Sequence, residues 1–77
     1  MPATLPRPIT PEEWVTQVFS ARAAAEGGVV RRRLNDIDSI CGRDMFLSEV
    51  RRRGYKAVIN GGQMVIFCNA ENLQFVN

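Results

Sequence analysis

The sequence predicts an α+β fold: a single small domain of three helices and a three-stranded antiparallel sheet, in the order αβααββ. Three observations predict it. A capped amphipathic stretch begins at Thr10. A second helical run over 35–53 is divided by Gly42. Two apolar runs flank Asn60-Gly61-Gly62, which is a hairpin signal. With 77 residues the chain is bounded to one domain, and its 45% hydrophobic content is that of a globular protein.

The elements follow in order. Residues 1–9, with prolines at 2, 6 and 8, predict a flexible extended tail. The globular part is then expected over 10–69. Thr10 is a good N-cap, Pro11 suits the first helical position and Glu13 closes a capping box. Trp14, Val15, Val18 and Phe19 recur at helical spacing, and Ala21 and Ala25 continue that face. The first helix is therefore expected over about 11–25, stopped by Gly27 and Gly28. The β-branched pair Val29-Val30 opens a short strand over 29–34. Its three arginines resist burial, which makes it an edge strand.

Asn35 or Asp36 is the expected cap of the next helix, with Ile37, Ile40 and Cys41 inward. Gly42 supplies the turn. Asp44 is the expected cap of the third helix, which turns Met45, Phe46, Leu47 and Val50 inward and ends at Gly54. Arg51, Arg52 and Arg53 fall in its last turn, where the helix dipole favours cations, and Glu49 pairs with Arg53 at i,i+4. In the hairpin, Tyr55, Ala57 and Ile59 share one face, while Lys56 and Val58 share the other. The second hairpin strand is apolar throughout and is expected at the centre of the sheet. Leu73, Phe75 and Val76, in the segment 70–77, are candidates to pack on the domain and cover the sheet.

Charge is unevenly spread. The net charge is +2, yet residues 29–57 hold eight basic and four acidic side chains, while the rest of the chain is mildly acidic. Such asymmetry suits an anionic partner. Two cysteines without histidine do not make a zinc site by the usual spacings, so no metal or cofactor is expected. There is no signal-like or membrane-length apolar run, which predicts a cytoplasmic protein with reduced thiols and no membrane partner. No nucleophile–base pair or phosphate loop is present, and 77 residues leave little room for a deep pocket beside a core. An enzyme is not expected unless a convergent pocket holds Asp38, Glu49 or Cys68 with a shifted pKa.

The order of elements resembles the winged helix-turn-helix family. The segments that carry the likeness are Asn35–Cys41, the turn at Gly42, Asp44–Arg53 and the hairpin over 55–68. The resemblance implies a winged-helix-like scaffold that binds DNA or RNA, or in many members another protein. Two departures stand out. The wing, Asn60-Gly61-Gly62, is short and uncharged. The arginines of the helix after the turn lie at its C-terminal end, whereas the family reads bases with the N-terminal half, where only Arg43 and Ser48 are well placed to do so. The stretch from Met45 to Asn69 is also similar to the helix–hairpin start of the small HicA-type RNA-cleaving toxins. That family's cleavage depends on a histidine, which this chain lacks. The chain also has the look of small bacterial proteins of unassigned function.

The residues expected to hold nucleic acid are Arg31, Arg32, Arg33, Arg43, Arg51, Arg52, Arg53 and Lys56. Arginine forks bind phosphate bidentately. Tyr55 is the candidate for base stacking. Runs of charge also arise as plain solvated faces. Geometry decides between partners. Two triplets on one face without carboxylates favour nucleic acid. Triplets that point apart, or a large exposed apolar patch, favour a protein.

Overall fold

The computed structural model describes residues 9–77. It is an α+β unit with four helices and three antiparallel strands. Helix α1 spans Pro11–Phe19 and α2 spans Arg22–Ala25; strand β1 spans Val29–Arg33. Helices α3 (Leu34–Ile40) and α4 (Arg43–Arg52) follow, then strands β2 (Lys56–Asn60) and β3 (Gln63–Phe67). The sheet order is β1-β3-β2, so the apolar strand is central, as expected. The tail expected over 1–9 lies outside the described residues except for Ile9, which is exposed.

The capping box at α1 forms as its residues predict: Thr10 Oγ1 accepts from the Glu13 N–H at 3.1 Å, and Glu13 Oε1 accepts from the Thr10 N–H at 3.3 Å. The expected helix over 11–25 is instead two helices. The Ser20 hydroxyl donates to the Thr16 carbonyl at 2.6 Å, and Ala21 is extended at φ −60°, ψ 151°. A serine bonded back onto the preceding turn competes with the helix ladder there. The bend sends Ala24 into the core.

Two expected caps are also corrected. Helix α3 begins at Leu34 directly from β1, with Arg33 at the N-cap and no side-chain cap from Asn35 or Asp36. The reason is tertiary: the Leu34 N–H is satisfied by the Gly62 carbonyl of the hairpin turn at 2.9 Å. Helix α4 is entered through Gly42 at φ +87°, and Asp44 lies in the first turn without capping. Gly54, at φ +75°, closes α4: its N–H reaches the Arg51 carbonyl and the Tyr55 N–H reaches Val50, both at 3.0 Å. That pair of hydrogen bonds is the Schellman ending, which needs a left-handed residue.

Among the described residues, the helices pack on one face of the sheet. Val30, Met64 and Ile66 point to that side and join Val15, Val18, Phe19, Ala24, Ile37, Phe46 and Val50 in one buried cluster. Phe46 is fully buried, with the Trp14 ring at 5.9 Å and the Phe19 ring at 5.5 Å. The C-terminal segment adds little cover. Leu73 is half-buried, but Phe75 is 84% exposed and Val76 is 92% exposed.

Candidate nucleic-acid interface

Strand register builds the other face of the sheet. Cross-strand partners share a face, and the side-chain period is two. The rows there are Val29–Phe67–Lys56, then Arg31–Val65–Val58, then Arg33–Gln63–Asn60. Among the described residues, the helices' core side chains gather with Val30, Met64 and Ile66, which point to the opposite face. The nine positions hold three cations and no carboxylate. Val65 is buried but outside the main core cluster, while Val29 is 41% exposed. Phe67 is half-buried at the end of the central strand.

The first triplet therefore splits. Arg31 and Arg33 stand exposed on this face, and Lys56 lies half-buried at the start of β2, across the central strand from them. Arg33 has one long contact, Nε to Asp36 Oδ2 at 3.4 Å, with both side chains well exposed; such a pair contributes little. Arg31 and Lys56 form no ion pair among the described residues. Arg32 lies on the opposite side, in the row of Met64, and its Nη1 donates to the Arg31 carbonyl at 2.6 Å.

The second triplet belongs to the helix layer and is largely engaged. Glu49 receives Arg52 at 2.7 Å and 3.0 Å, and Arg53 at 2.8 Å. Hydrogen bonds from Arg52 and then Arg53 hold the Glu49 carboxyl down to about 2. The Arg53 guanidinium also lies 4.9 Å over the Phe19 ring. Arg51 alone of the three is exposed without an ion pair among the described residues. Tyr55 is half-buried and packs edge-on against Phe19 at 5.6 Å, on the rim of the core. Arg43, at the start of α4, is clamped by Asp38 through Nε at 3.2 Å and Nη2 at 2.9 Å.

The structure thus places Arg31, Arg33 and Lys56 on one face of the sheet, with Arg32 on the other and Arg43, Arg51, Arg52 and Arg53 on α4 and its C-cap. Phe67 and Val29 belong to the same surface and are absent from the sequence-based set. Their signal was available only once β1 was known to pair with β3.

Three other features bear on chemistry. Glu49 borders an open groove of about 270 Å³ between α1 and α4. A carboxyl held that far below neutral is a poor base, and its partners are structural arginines. The thiols of Cys41 and Cys68 are both pushed up, chiefly by burial, and Cys41 also by Asp38; a raised thiol is a weak nucleophile at neutral pH. Among the described residues, no three His, Cys, Asp or Glu side chains gather as a metal site, and no helix is long and apolar enough to cross a membrane. The chain matches no protein-family model, no curated protein and no solved structure.

Proposed function

We propose that the protein is a small non-enzymatic binding module that holds single-stranded nucleic acid across its open sheet face. Arg31, Arg33 and Lys56 contact phosphates, and Phe67 offers a ring to a base. The observation that carries this reading is the register itself: three cations, no carboxylate and an aromatic on the sheet face opposite the helices. Flat sheets with exposed rings suit unstacked bases, which every sequence can offer. Duplex reading is less well served. The Asp38 clamp occupies Arg43 at the N-terminal end of α4, and the hairpin turn brings no charge. We also take the scaffold to be winged-helix-like. Support comes from the helix pair α3–α4 set between β1 and the β2–β3 hairpin, with α1 and α2 as one bent leading helix.

A protein partner is the second reading. What favours it is the division of the triplets between two layers, which breaks any long basic track. Fluorescence anisotropy with single-stranded RNA, single-stranded DNA and duplex DNA at low salt separates the two. Tighter binding of the single strands, lost in Arg31→Glu/Lys56→Glu and kept in Arg51→Ala/Arg52→Ala, is the expected result. Absence of binding to all three probes would sink the nucleic-acid reading.

A further inference from the structure

At the turn end of the open face, the row Arg33–Gln63–Asn60 carries two amides side by side. Asn60 and Gln63 are cross-strand partners on either side of Gly61-Gly62, so a two-residue turn fixes their spacing. Directly opposite residues of this kind hold their Cβ atoms about 5 Å apart. The turn itself is tied down, because the Gly62 carbonyl accepts from the Leu34 N–H at 2.9 Å. Asn60 is exposed and Gln63 is half-buried. Neither side-chain amide has a hydrogen-bond partner among the described residues. Among those residues no unpaired side-chain nitrogen or oxygen is buried, so the Gln63 amide reaches solvent. The approach is clear as well. Apart from chain neighbours, no described heavy atom lies within 4 Å of where a Cβ would stand at Gly61 or Gly62.

The fold does not account for either amide. Asparagine is depleted in strands, yet Asn60 ends β2. The turn does not need it, because the left-handed residue there is Gly61 at φ +62°, while Asn60 keeps a negative φ. Asn69 shows what a structural amide looks like in this chain. Its Nδ2 donates to the Gly27 carbonyl and its Oδ1 accepts from the Glu71 N–H, both at 3.0 Å.

A primary amide offers a donor and an acceptor side by side. A phosphate, which only accepts, uses half of that pair. Adenine answers both halves: its N6–H beside N7 takes two parallel hydrogen bonds from Asn or Gln. In an unpaired strand adenine repeats the pattern at its other edge, N6–H beside N1. The N7–O6 edge of guanine holds acceptors only, which suits arginine and not an amide. We infer that Asn60 and Gln63 select an adenine at the turn end of the face, an inference that rests on the nucleic-acid reading above. Gln63 lies roughly 13 Å along β3 from Phe67, so the selected adenine and the base on the ring are different nucleotides. Arg31 stands in the row between them, placed for the intervening phosphate.

Fluorescence anisotropy of the full chain with short oligocytidylates carrying a central adenine or a central guanine tests this. The adenine probe should bind about fivefold or more tighter than the guanine probe. In Asn60→Thr/Gln63→Thr that preference should vanish, while the salt dependence of binding stays, because Arg31, Arg33 and Lys56 are untouched. Threonine keeps strand propensity, and its single hydroxyl cannot make two parallel bonds; far-UV circular dichroism checks that the variant folds. Equal binding of the two probes by the native chain, or a preference that the double variant keeps, overturns the inference and leaves the nucleic-acid reading standing. Absence of binding to either probe ends both.

Discussion

Replacing Arg31 and Lys56 together by alanine should remove most of the salt dependence of nucleic-acid binding. The magnitude follows from the face. Three cations stand there, and for single strands each neutralised phosphate contributes a slope of about −0.7 in log affinity against log salt, giving about −2 in all. A rise from about 50 to about 200 mM salt then costs the native chain roughly 20-fold in affinity. With only Arg33 left, the same rise costs about threefold. Anisotropy titrations at four or five salt concentrations give both slopes. The second triplet is the internal control, because Glu49 already neutralises part of it and it lies in the helix layer. Should Arg51→Ala/Arg52→Ala/Arg53→Ala flatten the slope while Arg31→Ala/Lys56→Ala leaves it steep, the sheet face is not the contact surface and the reasoning from register fails.

Other outcomes follow from the packing and the charges. Phe46→Ala opens a cavity beneath Trp14 and Phe19 and should cost about 3–5 kcal/mol in urea unfolding; a loss below about 1 kcal/mol would show that the site collapses. Gly54→Ala must hold φ +75° with a side chain, so a loss of about 1–2 kcal/mol is expected, read from the shift in urea midpoint. Glu49 ordinarily takes its proton near 4.5 and is held down to about 2 in the fold. On acidification the unfolded chain binds that proton first, so its stabilisation is present above 4.5 and is lost as the pH falls toward 2. Glu49→Gln should flatten the acid limb of a stability–pH curve over that window, and an unchanged limb would show that the arginine pair adds nothing.

What was legible in the sequence was local. The capping box at Thr10, the left-handed turns at Gly42 and Gly54 and the two faces of β2 were all written in neighbouring residues. So was the Arg53–Glu49 pair, four residues apart. What escaped was set by distant partners. Leu34 donates its N–H to the Gly62 carbonyl, so a helix starts where no capping residue stands. The break at Ser20 depends on a single hydroxyl turning back on its own helix while Ala24 finds the core. The candidate face is the clearest case. The alternation of Arg31 and Arg33 was readable, but their company with Lys56 and Phe67 depends on β1 crossing to β3. The same crossing excludes Arg32, whose parity puts it on the far side.

The bond between Leu34 and Gly62 has a consequence for how this scaffold can diversify. In most hairpins the tip is the place where extra residues are accepted most readily, because nothing else depends on it. Here the tip carbonyl completes the first turn of α3. A residue inserted between Gly61 and Gly62 would withdraw that acceptor and leave the helix start unsatisfied where the chain passes straight from strand to helix. The turn is therefore held at its shortest length by a helix start 28 residues upstream in the chain and one hydrogen bond away in space.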